Sequence, residues 1–302
     1  MIPAIEAYLA VRRTGGFELK NDDYLLHSYA CFAAKRGEDR IRSSTAVQWA
    51  SQSRSVAQRD ARLKSVCRFA RFVRLDDEGH ELPPSEHFAF HKTRRLPYIY
   101  SDAELERIIK AALQLGPPGA LRPHTYATLI ALLSATGLRI SEALSLRLSD
   151  LSTEGLVISK SKFRKSRLVP LHDTAVLGLE RYLRRRCRWD AANDYVFITD
   201  EAQSLPYPVV YRTFQKLLRV AKLWPAPGVN RPRLHDLRHR FAVRALQASP
   251  QGVGSASQHM LALSTYLGHA NINDTYWYLE ATPELLRVIS TVCEAFYEET
   301  QS

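Results

Sequence analysis

Apolar residues recur along most of this chain at steps of three and four, the spacing that gathers side chains onto one face of a helix. Leu63, Val66, Ala70 and Val73 form one such stripe. The same spacing predicts helices near 3–12, 21–36, 44–52 and 54–74, then near 101–115 and 123–135, and later near 173–189, 208–222, 257–267 and 283–300. Ser101 with Glu104 three residues on reads as a capping box at the head of one of them. Strand character is confined to Leu156-Val157-Ile158-Ser159 and Arg167-Leu168-Val169-Pro170-Leu171, the two arms of a β-hairpin. The fold class that follows is mainly α with a small β-sheet. Periodicity stops across residues 75–97, where Gly79, Pro83, Pro84 and Pro97 punctuate a polar stretch. We therefore expect a helical domain over 1–90, a linker over 91–97 and a second domain over 98–302. A chain of 302 residues is also long for one core and suited to two.

Composition narrows the partner. The 45% hydrophobic and 24% charged content is that of a soluble globular protein, but the formal net charge is +11. Such an excess points to a polyanion, with nucleic acid ahead of an acidic membrane surface. No stretch reaches the roughly 20 apolar residues of a membrane span. The start, Met1-Ile2-Pro3-Ala4-Ile5-Glu6, lacks the charged and apolar segments of a signal peptide. A cytoplasmic, nucleoid-associated protein is the expectation. Cys31, Cys67, Cys187 and Cys293 lie far apart, so they read as reduced, mostly packed thiols rather than zinc ligands or disulfides. No carboxylate cluster suggests magnesium, and no cofactor is expected.

The positive charge is concentrated in several places. Lys64, Arg68 and Arg71 fall opposite the 63–73 stripe, either as a solvated face or as phosphate contacts. Arg95 ends the basic run His91-Lys92-Thr93-Arg94-Arg95, which is either a plain tether or a track along a DNA backbone. The hairpin tip carries Lys160, Lys162, Arg164 and Lys165; it is solvated, enters a groove, or delivers a lysine to a scissile phosphate. Five arginines (181, 184, 185, 186 and 188) give the 173–189 helix a solvated or backbone-contacting face. Lys216, Arg219 and Lys222 fall on nearly one side of the 208–222 helix.

Chemistry-bearing residues lie in the second domain. In Thr136-Gly137-Leu138-Arg139-Ile140-Ser141-Glu142, Gly137 permits a tight break between helices. Arg139 then opens a helix anchored by Ala143, Leu144, Leu146 and Leu148. Glu142 either braces that arginine or forms an ordinary surface pair with it. His235 and Arg238 are three apart and share a helical face, with Phe241, Ala242 and Ala245 packing behind them. A loop of small residues, Ala248 to Ser255, precedes a helix that ends at Gly268, leaving His269 at its edge. Tyr278 follows nine residues later, and it or Tyr276 is either a core aromatic or a nucleophile. Two arginines, two histidines and a tyrosine in a basic protein are a toolkit for breaking a phosphodiester.

Taken in order, Thr-Gly-Leu-Arg-Ile-Ser-Glu, the lysine-bearing hairpin with Arg-Leu-Val-Pro-Leu, His-Asp-Leu-Arg-His, Leu-Gly-His and the later tyrosine resemble the tyrosine recombinases of the phage integrase type. The likeness covers 97–280 well and the helical first part in outline. It implies that Arg139 and Arg238 bind the phosphate, that His235 and His269 assist, that Tyr278 is the nucleophile, and that Lys162, with Lys160 as the alternative, is the hairpin lysine. It also gives Glu142 a supporting place and implies a C-shaped clamp of a helical core-binding domain and a catalytic domain. The reaction implied is cutting and rejoining of DNA through a covalent 3′-phosphotyrosine, without metal or ATP. The implied partners are a double-stranded recombination site and a homo-tetramer, with the C-terminal helix exchanged between neighbours and room for accessory proteins. The stretch from Arg238 to His269 is longer than the family's usual spacing. Residues 249–257 are the expected insertion, an outward loop that makes the chain similar to recombinases carried on transposons and integrative elements. A type IB topoisomerase and a non-catalytic DNA-binding regulator are the competing readings.

Overall fold

The computed structural model describes residues 1–90, 95–159, 166–189, 193–226, 228–248, 253–268, 271 and 275, with no side-chain description for 253–257. It divides into two compact units, Met1–Arg95 and Leu96–Ser302.

The first unit has four helices: α1 (Ile2–Thr14), α2 (Lys20–Ala34), α3 (Ser43–Ser51) and α4 (Val56–Val73). Ser55 starts α4 by accepting the Gln58 N–H on its hydroxyl (3.2 Å). Leu63, Val66, Ala70 and Val73 are buried as their spacing requires, and they join Leu26, Tyr29, Trp49 and Phe69 in one core. The aperiodic stretch after α4 is not loose. Glu81 N–H donates to the Ile41 carbonyl (2.9 Å), the Ile41 N–H donates to His80 Nδ1 (3.0 Å), and the Glu81 carboxylate accepts the Ser43 N–H (2.7 Å). The segment strings back across the approach to α3 by backbone pairing that periodicity cannot reveal.

The second unit is built around α6 (Arg122–Thr136), which packs on α5 (Asp102–Leu113), α8 (Asp173–Arg186) and α10 (His235–Gln247). Its apolar central run is explained by that encirclement, with Leu129, Ile130, Leu132 and Leu133 all buried. Ser101 and Glu104 do form a reciprocal capping box at α5. Strands β1 (Leu151–Ser152), β2 (Gly155–Ile158) and β3 (Arg167–Val169) make an antiparallel sheet in that order, with Leu156 opposite Val169. The mainly helical fold with a small sheet is as predicted; β1, only two residues long, was too short to read. Helix α9 (Tyr207–Val220), helix α11 (Val253–Leu267), α7 (Ile140–Ser145) and a 3-10 turn at Leu148–Asp150 complete the described elements.

Several expectations are corrected. The helix opened by Arg139 ends at Ser145, because Leu146 turns extended and its carbonyl accepts the Val196 N–H (2.8 Å), while the Leu148 N–H goes to Asp194 (2.8 Å). Leu148 is therefore partly exposed rather than an anchor. Arg186 is not on a solvated face: it is buried and donates to the carbonyls of Tyr195 (2.9 Å) and Asn193 (3.1 Å). Lys222 lies beyond the end of α9, in left-handed backbone. Part of the expected loop at 249–257 is the first turn of α11, which begins at Val253. Cys31 and Cys187 are exposed and only Cys67 of the three described thiols is packed. Cys293 and the 283–300 helix lie outside the described residues. No described helix is long and apolar enough to cross a membrane, and no group of three metal-ligating side chains occurs among the described residues.

Candidate active site

The site begins at the break between α6 and α7. Gly137 closes α6 with φ +61, and a Cβ there would lie 2.6 Å from the Phe241 ring, so both backbone and space demand glycine. That turn delivers Arg139, whose backbone is extended at the head of α7. Glu142, one turn into α7, accepts the Arg139 backbone N–H on Oε2 (2.9 Å) and the Arg139 Nη1 on Oε1 (2.9 Å). The Arg139–Glu142 contact is thus no surface pair: the carboxylate is 8% exposed and the guanidinium 26%.

Helix α10 brings the second arginine. Its start is fixed by Asp236, wholly buried, which accepts the Arg233 N–H (2.8 Å) and Arg233 Nη2 (2.9 Å). Further along, Arg240 ties α10 to the α5–α6 layer, donating to the Tyr100 carbonyl (3.0 Å) and Ser134 Oγ (2.9 Å) and pairing with Asp102. Arg238 faces the α6–α7 turn. It is 2% exposed and donates to the Gly137 carbonyl (2.8 Å) and the Leu267 carbonyl (2.7 Å).

The last piece is the C-terminal end of α11. The final carbonyls of a helix lack intrahelical partners and carry the negative end of its dipole. Here three consecutive carbonyls are each taken by a different arginine: Tyr266 by Arg167 Nε (2.8 Å), Leu267 by Arg238 (2.7 Å) and Gly268 by Arg139 Nη2 (2.9 Å). Gly268 ends the helix at φ +65, as the sequence suggested. Arg167, which the sequence reading passed over as a strand residue, also grips both Glu142 oxygens (3.0 and 2.8 Å). The one signal available was its charge at a strand start, which does not separate a buried bracket from a solvated arginine.

Electrostatics follow from this packing. Burial on its own would raise the Glu142 carboxyl, but hydrogen bonds from Arg167 and from the Arg139 backbone outweigh it and hold the pKa down to about 2. His235, the first residue of α10, is open to solvent on one side and packed in dense protein on the other, edge-on to the His239 ring at 4.8 Å. Burial first, and then the Arg238 charge, lowers its pKa to about 4; Arg139 adds to the effect. The imidazole is therefore neutral near pH 7.

The structure thus brings Arg139, Glu142, Arg238 and His235 together from segments about a hundred residues apart. His269 and Tyr278 lie outside the described residues, as do Lys160, Lys162, Arg164 and Lys165 of the hairpin tip. In the first unit, Lys64 pairs with Asp60 (3.0 Å) and Arg68 with Asp22 (2.8 Å). Arg71 is exposed, and Arg95, partly buried, closes the unit.

Residues 99–284 match the model of the phage integrase family. An integrase/recombinase of Sinorhizobium fredii is 36% identical over 306 residues, covering 98% of both chains. The tyrosine recombinase XerD of Caulobacter vibrioides is 33% identical over 239 residues, or 76% of this chain and 73% of that one. Among solved structures, the XerH site-specific recombinase bound to a palindromic difH substrate, a post-cleavage complex, superposes with a TM-score of 0.63 at 20% identity, covering 90% of this chain and 78% of that one.

Proposed function

The chain belongs to the phage integrase family of tyrosine recombinases, and from that premise we propose that it cuts and rejoins DNA at a recombination site through a covalent 3′-phosphotyrosine at Tyr278. The observation that carries this reading is the joining of Arg139 and Arg238 around one helix end, in the two residues that lead into His269. Guanidiniums held by carbonyls and a carboxylate are already oriented, so no reorganisation is needed when a phosphate arrives.

A phosphodiester resists attack because it is anionic and its leaving oxygen departs poorly. Charge builds on the non-bridging oxygens in the in-line transition state, where Arg139 and Arg238 supply fixed positive groups, each worth ~3–4 kcal/mol in a dry cleft. The Tyr278 oxygen forms its bond to phosphorus and the bond to the 5′-oxygen breaks. The phenolic proton passes to His235, neutral near pH 7 and so able to accept it. The bound phosphate anion offsets the arginine charge that depresses His235 and makes it a better base at the moment it is needed. Lys162, or Lys160 in its place, donates a proton to the leaving 5′-oxygen, and His269 adds a hydrogen bond to the phosphate. Rejoining is the reverse attack by a partner strand's 5′-hydroxyl. The covalent link stores the bond energy, so neither ATP nor a metal is required.

Double-stranded DNA is the assigned partner, on the net charge of +11 and on the likeness to a DNA-bound recombinase. We assign Lys64, Arg68, Arg71, Arg95, Arg164 and Lys165 to phosphate contact, and a homo-tetramer on two sites as the working form, with its C-terminal helix docked on a neighbour. The test is suicide-substrate trapping with DNA flanking the gene. Wild-type protein should become covalently attached, and Tyr278→Phe should bind the same DNA without attachment. Attachment that persists in Tyr278→Phe would overturn the assignment.

A further inference from the structure

Arg167 has no part in the chemistry just described, yet it bonds two other elements of the site. It begins β3, directly after the segment that carries Lys162. Its two terminal nitrogens fork onto both oxygens of Glu142 (3.0 and 2.8 Å), and its Nε donates to the Tyr266 carbonyl (2.8 Å). The side chain is 11% exposed. Its guanidinium lies flat against Gly268, where an added Cβ would stand 3.0 Å from Nη1.

The Glu142 carboxylate consequently has four donors. Oε1 takes Arg139 Nη1 and Arg167 Nη1, while Oε2 takes the Arg139 backbone N–H and Arg167 Nη2. Counting charge changes how the pair should be read. Glu142 with Arg139 alone would be a neutral couple, and the arginine would have little left to offer a phosphate. With Arg167 present, two guanidiniums share one carboxylate and the cluster keeps a net positive charge on the side where Arg139 projects. Geometry adds a second effect. The same guanidinium links β3, α7 and the end of α11, the three elements that lead from or toward Lys162, Arg139 and His269.

We propose that Arg167 is a positioning residue for strand cleavage: it offsets the Glu142 charge so that Arg139 remains available to the phosphate, and it fixes the α11 end that leads into His269. The proposal rests on the recombinase reading above and goes beyond it in assigning a role to a residue that touches neither phosphate nor nucleophile.

The experiment measures single-turnover covalent capture on a nicked suicide duplex taken from DNA flanking the gene, with DNA affinity and thermal melting followed in parallel. Arg167→Gln should slow capture by about 10- to 100-fold, the usual cost of losing a group that orients a working one. DNA affinity should change by less than about 3-fold. Arg167→Lys keeps the charge without the fork and should fall between wild type and Arg167→Gln. The double variant Arg167→Gln/Glu142→Gln separates the charge effect from simple damage. Removing the unbalanced carboxylate should restore part of the lost rate, whereas a purely structural role predicts a double variant no faster than the single one. Equal rates for wild type and Arg167→Gln, or no recovery in the double variant, would overturn the proposal. If Arg167→Gln does not fold, the rate of Arg167→Lys decides: a wild-type rate overturns the proposal and a slowed rate at unchanged affinity supports it. Failure of the wild-type protein itself to give Tyr278-dependent capture would instead remove the recombinase reading.

Discussion

Two sets of cations sit beside carboxylates in this protein, and they differ in what surrounds them. On α4 of the first unit, the Lys64 and Arg68 side chains are 37% and 42% exposed, so water and salt reach the cations even though the Asp60 and Asp22 carboxylates they meet are 9% and 15% exposed. In the second unit, Arg139, Arg167 and Arg238 are mostly withdrawn from water and bond Glu142 and backbone carbonyls from distant parts of the chain. A cation with two-fifths of its side chain in water can take up a DNA phosphate beside its existing partner, and salt screens that added contact. Buried pairs are rigid and cannot rearrange without leaving a charge stranded. The first arrangement suits gripping a long polyanion, and the second suits holding one phosphorus atom in place.

The sharpest way to break this contrast is to remove a buried arginine. Arg238→Gln should lower single-turnover capture by at least about 100-fold, and it should also lower the melting temperature because two carbonyls lose their donor. Capture near the wild-type rate would show that the buried set is structural only.

Acid should distinguish the two sets next. Glu142 has a pKa lowered to about 2, so its contribution, on the order of 3 kcal/mol, is complete above the ordinary carboxylate range and fades as pH falls toward 2. His235 is lowered to about 4, so the unfolded chain binds its proton first; stability drops as pH falls from about 6.5 toward 4. Urea melts across pH should show both losses in sequence. Glu142→Gln should flatten the lower limb and His235→Gln the upper one, and a profile unchanged by either variant would contradict these two shifts.

The outward set should give the smallest effects, read in affinity alone. Arg68→Ala and Arg71→Ala should each weaken DNA binding a few-fold and reduce the slope of log affinity against log salt by about 1. Capture at saturating DNA and the melting temperature should stay near wild type. A loss of capture rate in Arg71→Ala would erase the distinction between the regions.

Much of this was visible in the order of residues. Helical spacing gave α4 and its buried stripe, the Ser101–Glu104 cap gave the start of α5, and Gly137 and Gly268 marked the turns that carry the site, because these features depend on neighbours within a few positions. The premature end of α7 did not show, since Leu146 leaves the helix to pair with a backbone 50 residues away, at Val196. Nor did Arg186, which reads as one more exposed arginine until the carbonyls of Asn193 and Tyr195 are seen beside it.

The sequence by itself determined which residues are available for the chemistry, since residue type fixes charge, nucleophilicity and donor count wherever the chain goes. It also determined the helical class, because amphipathic period is a local property. Only the tertiary structure decided that the end of α11 is the place where Arg139, Arg167 and Arg238 meet. Three carbonyls left over at a helix end are offered to whatever packing brings near, and a guanidinium's partners are chosen by distance in space rather than along the chain.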